Sequence, residues 1–344
     1  MELTASSRIA ILLQGGTKGH HGKTGLAFAR YSQTDIVAII DSEAVGESLV
    51  ELTKIDRPVP IVADVEAALT YKPDILLIGI APSGGQLPTE WMAQIEIAVK
   101  AGLSVINGLH SPLKPQFPFL QPQQSIWDIR QEPKGLTIAK GKARSLLAQR
   151  ILTVGTDMGI GKMSTSLELY RTALARGIKA QFIATGQAGI AISGQGIALD
   201  AVRVDFAAGA VEKAVLELGR DRDLIMIEGQ GSLLHPGSTA TLPLIRGSQP
   251  TGLVLVHRAG AKHIRDLPDF LIPPLPEVIQ LYETVASAAS MGTEVKVKAI
   301  ALNTFGMNDT EAQATIKATC ESTGLPCNDV VRFGGAILPA IYGK

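Results

Sequence analysis

The chain alternates short apolar runs with longer segments of mixed polarity, a pattern typical of strands that alternate with helices. The apolar runs lack the period-two alternation of a sheet with one exposed face, so we expect parallel strands covered by helices on both sides. In the first third of the chain the pattern predicts strands at residues 8–14, 36–41, 75–80 and 104–106, and helices at 24–31, 65–71 and 90–101.

The same alternation resumes near residue 150, after a stretch with four prolines at 112–122. The fold class is therefore predicted as α/β, with two domains that are each built on a doubly wound parallel sheet. We predict an N-terminal domain at 1–122, a linker at 123–149 and a C-terminal domain at 150–344. The predicted strands of the second domain are 151–154, 180–184, 224–227, 253–256 and 298–302, and its predicted helices are 164–176, 277–289 and 311–322.

Composition narrows the class of protein. The chain has 344 residues, of which 46% are hydrophobic and 19% charged, with a net charge of zero, so a general nucleic-acid binder is not expected. Cys320 and Cys327 have no neighbouring zinc ligands and are expected as reduced thiols. A polar N-terminus and the lack of an apolar run of about 20 residues predict a cytoplasmic protein without a membrane partner. We expect a small-molecule substrate and, because the chain is apolar and uncharged overall, a homo-oligomer.

A glycine-rich turn at residues 155–162 carries the strongest chemical signal. It lies between a predicted strand and a predicted helix and ends in Gly161-Lys162. Such a turn directs backbone N–H groups and a lysine ammonium towards a phosphate. The position that carries a Mg²⁺-binding hydroxyl in a P-loop is Met163, so whether a metal binds stays open. The predicted cofactor-binding residues of this loop are Gly155, Thr156, Asp157, Gly159, Gly161, Lys162, Ser164 and Thr165.

Further candidates follow other strands of the second domain. Glu228 ends the strand at 224–227 like the acid of a Walker B strand, so it is expected to face the loop and to serve as catalytic base or metal ligand. His235 is the second candidate for the base. Asn303 ends a late strand and is predicted to read the adenine edge of a bound cofactor. The turn at 185–189 either lines the substrate pocket or is a plain loop.

A second glycine-rich loop follows the first predicted strand. Residues 16–24 match the later loop at Gly-Thr and at Gly-Lys with equal spacing, which duplication and convergence would both produce. Asp41 closes the next strand, where a dinucleotide-binding fold places its ribose acid. The turns at 81–85 and 107–108 end neighbouring strands and would share that crevice. The predicted second anion site consists of Gly16, Gly22, Lys23, Thr24 and Asp41.

These motifs carry a resemblance to known families. The loop at 155–162, Glu228-Gly229 and Asn303 make the second domain similar to dethiobiotin synthetase and its P-loop relatives. A narrower group matches nearly the whole chain, because it shares Gly-Lys-Met at 161–163 and the runs at 205–209 and 228–232. On these residues the chain resembles the D-glutamate N-acetyltransferases of the DgcN type, long filed as a domain of unknown function. The resemblance implies a Rossmann-like N-terminal domain, a P-loop NTPase-like C-terminal domain and acetylation of an amino acid such as D-glutamate.

Three functions stay open at this point. As an N-acetyltransferase, the protein would hold the diphosphate of acetyl-CoA on the loop, and Lys23 or Arg258 would clamp the carboxylate of an acidic acceptor. As an ATP-dependent ligase or kinase, it would hold ATP and Mg²⁺ with Ser164 or Thr165 and Glu228. As a sensor without catalysis, it would bind nucleotides and regulate a partner. Met163 favours the first function, because a thioether binds Mg²⁺ poorly.

Overall fold

The computed structural model describes residues 1, 3–80, 87–290 and 292–343. Its strands follow the predicted alternation of apolar runs. They are β1 (Arg8–Leu12), β2 (Asp35–Ile40), β3 (Ile61–Val62), β4 (Ile75–Ile78), β5 (Ser104–Asn107), β6 (Ile126–Asp128), β7 (Gln149–Gly155), β8 (Ala180–Ile183), β9 (Leu224–Ile227), β10 (Gly252–Arg258), β11 (His263–Ile264), β12 (Leu267–Leu271), β13 (Val297–Asn303) and β14 (Cys327–Asn328).

The helices connect these strands, and several begin at side chains that cap them. The Asn308 side chain accepts the N–H of Glu311, and the Glu311 side chain accepts the N–H of Asn308, which together form a capping box. The helices are α1 (Lys23–Tyr31), α2 (Leu49–Thr53), α3 (Val65–Leu69), α4 (Thr89–Lys100), α5 (Lys162–Ala175), α6 (Gln187–Ser193), α7 (Val204–Leu218), α8 (Thr241–Ser248), α9 (Leu275–Ala289), α10 (Asp309–Thr323), α11 (Val330–Phe333) and α12 (Leu338–Tyr342).

The first sheet contains six strands within the described residues, in the order β3–β2–β1–β4–β5–β6, and every pairing is parallel. Ile9 of β1 pairs with Ile36 on one side and Ile75 on the other. The strand order therefore reverses at β1. In open α/β sheets ligands bind beyond the carboxyl ends of the strands at such a reversal, which is where the loop after β1 lies.

The second sheet is also parallel, with the order β14–β13–β10–β7–β9–β8 for its six described strands. Its central strand β7 pairs with β10 and β9. All four residues of β9 are 0% exposed, so helices cover both faces, and each buried Ile or Leu contributes about 1.5–3 kcal/mol. The two sheets confirm the predicted fold class. The antiparallel hairpin of β11 and β12 was not predicted.

Contacts within the chain define two units, which divide it differently from the sequence prediction. The first unit comprises Met1–Glu132 and Gln187–Ala201, and the second comprises Pro133–Gly186 and Val202–Lys344. The stretch 123–149, predicted as a linker, contains β6, which pairs with β5, and the first residue of β7. The first unit also gains α6, which packs against α1. The sequence prediction placed the residues of α6 in the second domain. In the structure, the chain returns to the first unit after β8 and forms α6 there.

Candidate functional site

The loop between β7 and α5 has the backbone of a phosphate cradle. Gly159 and Gly161 adopt φ angles of 64° and 114°, in the left-handed region that favours glycine. α5 begins at Lys162, directly after Gly161. The first N–H groups of a helix have no partner within the helix and carry its positive dipole end, so this turn can bind an anion.

Thr156 and Asp157 tie this loop to the segment around β10. Thr156 is 1% exposed, and its hydroxyl lies 2.9 Å from Nδ1 of His257. The Asp157 carboxylate accepts two backbone N–H groups, from Met158 at 2.6 Å and from Arg265 at 2.8 Å. Their side chains therefore hold the loop in place, while its backbone faces the cradle.

Lys162 is buried beside the loop that it closes. It is 5% exposed, and its ammonium donates to the carbonyl oxygen of Asp157 at 2.6 Å. Burial lowers the pKa of Lys162 to about 8, while the charges of Asp157 and Glu228 act in the opposite direction. An anion on the loop would add a stronger partner for this ammonium.

Met163 leaves the metal-binding position of the loop without an oxygen. Ser164 and Thr165 would reach a metal only if the helix began one residue later, but α5 begins at Lys162. Successive helical side chains are rotated by about 100°, so Ser164 and Thr165 point away from the Met163 direction. Within the described residues, no group of three or more His, Cys, Asp or Glu side chains could hold a metal ion. Position 163 therefore offers a thioether where a P-loop offers Mg²⁺ a hydroxyl oxygen.

Glu228 lies where its sequence position indicates, at the end of β9 next to the loop strand β7. It is 5% exposed, and Oε2 accepts the N–H groups of Thr185 and Gly186 at 2.8 and 3.2 Å. The Thr185 hydroxyl in turn donates to the carbonyl of Glu228 at 2.8 Å. The structure therefore brings together Glu228, Lys162 and the first residues of the turn predicted at 185–189.

One hydroxyl joins the strand, the helix and the acidic turn of this site. The Thr153 hydroxyl on β7 accepts the N–H of Gly229 at 2.8 Å and lies 3.0 Å from the Ser166 hydroxyl on α5. A Cβ on Gly229 would lie only 1.7 Å from the carbonyl oxygen of Thr153, so the turn after Glu228 requires glycine. This contact fixes the separation of β7 and β9.

His235 and Asn303 have partners that restrict their predicted roles. Nδ1 of His235 accepts the N–H of Gly237 at 3.0 Å, so the neutral ring carries its proton on Nε2. The Asn303 amide donates to the carbonyl of Ile160 at 2.9 Å and accepts the N–H of Phe305 at 3.0 Å. Asn303 thus holds the phosphate loop from β13, a contact that competes with reading an adenine.

Two residues of the site were missed by sequence reasoning. His257, near the end of β10, is buried against Thr156, and burial lowers its pKa to about 4, so the ring is neutral at pH 7. Tyr282 on α9 is 0% exposed and donates from its hydroxyl to the carbonyl of Gly155 at 2.7 Å. The position of His257 at a strand end was an available signal, whereas nothing local distinguishes Tyr282.

A cavity of about 290 Å³ lies between the loop and a segment that runs from the end of β10 into the hairpin. The loop contributes four residues to its lining, and the last residue of β10 and the segment after it contribute the rest. They are Thr156, Asp157, Gly159, Ile160, Arg258, Ala259, Gly260, Ala261, His263 and Arg265.

The loop after β1, in the first unit, is held by the Asp41 side chain and by close contacts within its own backbone. Asp41 is 1% exposed and accepts the N–H groups of Gly15 and Thr17 at 3.0 and 2.9 Å, so its carboxylate binds the loop where a ribose was expected. A Cβ on Gly22 would lie 2.2 Å from the carbonyl oxygen of Gly16, which shows how tightly the loop folds on itself. The first N–H groups of this loop are therefore occupied.

Two further residues of the predicted second anion site, Lys23 and Thr24, are the first two residues of α1. Lys23 is exposed, and Thr24 is 4% exposed with its hydroxyl 3.4 Å from the Gln187 amide. The Thr17 hydroxyl is buried without a hydrogen-bond partner in the part of the chain that the structure describes, which is compatible with a bound ligand. The second anion site thus stays a prediction.

The two turns predicted to share this crevice have different outcomes. Residues 81–85 lie outside the described residues. Asn107 is 0% exposed, and its amide donates to the Ser111 carbonyl at 2.9 Å and to the Asp128 carboxylate at 2.7 Å. Asn107 therefore organises the loop after β5.

Comparison with known proteins places this geometry in a family. A family model described as a domain of unknown function, the DUF1611 P-loop domain, matches residues 137–338. A second model, the DUF1611 N-terminal Rossmann-like domain, matches residues 42–132. No helix of the described residues is long and apolar enough to cross a membrane.

Individual relatives agree with these matches. A protein named D-glutamate N-acetyltransferase from Tritonibacter scottomollicae is 37% identical over 76% of this chain and 79% of its own length. One of the same name from a Pseudoalteromonas species is 35% identical over 75% and 78%. The crystal structure of a DUF1611 family protein from Anabaena variabilis is 57% identical, with a TM-score of 0.95 over 98% of this chain and 100% of that one. The chain therefore belongs to the DUF1611 family, with a Rossmann-like domain and a P-loop domain.

Proposed function

We propose that this protein is an N-acetyltransferase that moves the acetyl group of acetyl-CoA to the amine of an acidic amino acid such as D-glutamate. The observation that carries the proposal is the loop 155–162, a phosphate cradle with a buried lysine but no hydroxyl at Met163. Two relatives that are 35% and 37% identical bear the name of this activity.

The loop suits the diphosphate of the donor. Its backbone N–H groups and the Lys162 ammonium supply positive charge, and the contact of that ammonium with the Asp157 carbonyl can be exchanged for a phosphate oxygen. The diphosphate stays intact during acyl transfer, so the reaction needs no Mg²⁺ to neutralise a transferring phosphoryl group. A reaction that needs no Mg²⁺ agrees with a thioether, and not a hydroxyl, at position 163.

The chemistry requires one proton acceptor. The acceptor ammonium first loses a proton to the base, and the free amine nitrogen then attacks the thioester carbonyl carbon. The carbon–sulfur bond breaks, the nitrogen loses a second proton and the leaving sulfur gains one. We assign the base to Glu228, which lies at the same sheet edge as the loop and has Oε2 fixed by two N–H groups. His235 is less suited, because its Nδ1 is occupied by Gly237 and its Nε2 carries the proton.

The turn after Glu228 is the candidate for stabilising the oxyanion that forms on the carbonyl. The N–H of Gly229 donates to Thr153 and is therefore committed to the fold. The N–H groups of Gln230 and Gly231 would supply the hydrogen bonds to the oxyanion.

The test is acetyl transfer by the purified protein, with thiol release followed in time and N-acetyl-D-glutamate identified by mass spectrometry. Glu228→Gln should lower kcat by about 100-fold or more while leaving acetyl-CoA affinity within about twofold, as loss of a general base does. His235→Asn serves as the matched control, with kcat within about threefold of the wild type.

The alternative is ATP-dependent activation of a carboxylate. Release of ADP from ATP and Mg²⁺ in the presence of acidic amino acids, without thiol release from acetyl-CoA, would contradict the acetyltransferase and support a ligase. Binding of either nucleotide without any turnover would support a sensor.

A further inference from the structure

The phosphate loop has a different neighbour on each side of the strand that it follows. β7 pairs with β10 on one side and with β9 on the other. Glu228 follows β9, whereas the cavity of about 290 Å³ is lined by the loop, the last residue of β10 and the segment after it. Lys162 and Glu228 are not among its lining residues. The proposed base and the cavity therefore lie on opposite sides of the loop.

This arrangement restricts the direction in which a donor can lie. The diphosphate of CoA joins two arms, of which one ends in the thiol and the other is an adenosine with a phosphate on its 3′ oxygen. With the diphosphate on the loop, the thioester arm has to extend towards β9 to bring the acetyl group near Glu228. The adenosine arm then extends towards β10, where the cavity lies.

The segment that lines the cavity from the β10 side is basic. Residues 258–265 contain Arg258, Lys262, His263 and Arg265 and no acidic residue. Of these four, all except Lys262 line the cavity. Guanidinium groups form charge-assisted hydrogen bonds with phosphate, which are stronger than those with a neutral hydroxyl. The cavity therefore favours an adenosine arm that carries a phosphate.

The two guanidinium groups are accessible to a ligand. Arg258 is exposed, and its guanidinium has no hydrogen-bond or ion-pair partner in the part of the chain that the structure describes. Nε of Arg265 lies 3.4 Å from the Asp266 carboxylate, and both side chains of this pair are exposed. An exposed ion pair contributes little, so a phosphate can replace Asp266 at a small cost.

The carboxylate in the cavity lining is already hydrogen-bonded. Asp157 is 4% exposed, and each of its two oxygens accepts one backbone N–H, from Met158 at 2.6 Å and from Arg265 at 2.8 Å. These bonds offset part of its negative charge and fasten the hairpin to the loop. The N–H of Ala259 also donates to the Asn303 carbonyl at 3.0 Å. The cavity is thus largely formed before a ligand enters.

The size of the cavity suits one end of a large donor. A volume of about 290 Å³ lies at the small end of ligand pockets and is too small for the whole of CoA. Ile160, Ala259 and Ala261 add apolar surface beside the basic residues. This combination of apolar and cationic groups is complementary to a phosphorylated nucleoside.

We propose that this cavity binds the 3′-phosphate end of the donor through Arg258 and Arg265, and that it selects CoA over nucleotides with a free 3′ hydroxyl. The inference rests on the proposed acetyl transfer and adds to it the residues that recognise the donor. It gives Arg258 a role on the donor, in place of the clamp on an acceptor carboxylate that the sequence suggested.

The experiment compares CoA with dephospho-CoA, which lacks only the 3′-phosphate. Calorimetric titration of the wild type should give a Kd for dephospho-CoA that is about 10- to 100-fold higher than that for CoA, since hydrogen bonds to a charged group are lost. Arg258→Gln and Arg265→Gln should each raise the Kd of CoA about fivefold or more and leave that of dephospho-CoA within about twofold.

The control is Lys262→Gln, which removes a charge from the same segment outside the cavity lining and should bind both ligands like the wild type. Arg265→Gln keeps the backbone N–H that donates to Asp157, so the hairpin stays fastened to the loop. Melting temperatures confirm that all variants are folded.

These binding measurements separate the inference from the proposed function. A preference for CoA that is lost in the arginine variants supports the 3′-phosphate site even if no acetyl transfer occurs, in which case only the proposed function fails. Acetyl transfer by a wild type that binds CoA and dephospho-CoA equally overturns the site and leaves the proposed function intact. A preference for CoA that both arginine variants retain also overturns the site.

Discussion

Lys162 combines a full charge with nearly complete burial, and this combination makes its charge dependent on pH. Burial disfavours the ammonium, which is why the pKa of Lys162 lies at about 8 instead of 10.5. The group is therefore charged at pH 7 and largely neutral at pH 9. In the proposed function the charged form binds phosphate, so this lysine would link the affinity of the loop to pH.

Acetyl-CoA affinity should accordingly be constant below about pH 7 and weaken as the pH rises through 8. With a pKa of about 8 in the free protein, the Kd should rise about fivefold from pH 8 to pH 9, because most of the ammonium is lost over that interval. Calorimetric titration at a series of pH values measures this change. A Kd that stays flat up to pH 9.5 would exclude Lys162 as the titrating phosphate ligand.

Removal of the lysine is the complementary experiment. Lys162→Ala should weaken acetyl-CoA binding by about 10- to 100-fold, since a charge-assisted hydrogen bond to phosphate is lost. Lys213→Ala, at an exposed position of α7, is the matched control and should bind like the wild type. Affinity that survives in Lys162→Ala would move the donor away from this loop.

The elements of the site are joined by Thr153 on β7, which contacts both α5 and the turn after β9. Because its hydroxyl serves Ser166 and the N–H of Gly229 together, the relative positions of loop, helix and acidic turn depend on one buried oxygen. A misplaced turn would also misplace Glu228, so the stability of the fold and the position of the proposed base are coupled here.

Thr153→Val should lower the free energy of unfolding by about 1–3 kcal/mol, because the buried N–H of Gly229 loses its acceptor while the shape of the side chain is kept. Thr153→Ser retains the hydroxyl and should lose clearly less. Urea unfolding of both variants checks the prediction. Destabilisation by Ser that equals or exceeds that by Val would contradict the prediction, because the methyl contact would then contribute at least as much as the hydrogen bond.

The sequence predicted those parts of the site that depend on local pattern. The glycine spacing of the loop, the lysine and the acid after an apolar strand are all local signals, and the structure has them on neighbouring strands of the second sheet. The roles of Asp41 and Asn303, by contrast, depend on backbone groups that are distant in the sequence. Both side chains bind backbone groups from neighbouring segments, which no local pattern reveals. The hairpin of β11 and β12 escaped prediction because β11 has only two residues and β12 is mostly exposed and contains Pro268, so neither strand forms an apolar run.

The whole molecule consists of two units whose boundaries do not follow the chain in order. Gln187–Ala201 belongs to the first unit although the second unit precedes and follows it. Within the first unit, α6 packs against α1, and Asp200 pairs with Arg130 at 2.5 Å. A division of the gene between the two family-model matches would separate this segment from its partners.

A fragment that starts at Pro133 should therefore be cleaved within residues 187–201 faster than the full-length chain by proteinase K, which accepts the aliphatic residues of this segment. Without α1 and Arg130 the segment loses its packing and its ion pair, and loosely packed backbone is the preferred site of proteolysis. Limited proteolysis followed by mass spectrometry locates the cut. Equal protection of that segment in the fragment and in the full chain would contradict its assignment to the first unit.

Because the chain returns to the first unit at Gln187, that unit is completed late during translation. The first unit lacks α6 until residue 193 has been made, and roughly 155 residues separate the end of α1 from the start of α6. At about 5–20 residues per second, this stretch takes roughly 8–30 s to translate. During this interval on the ribosome, the surface of α1 that later packs against α6 is uncovered. A chaperone that binds nascent chains would bind at that surface.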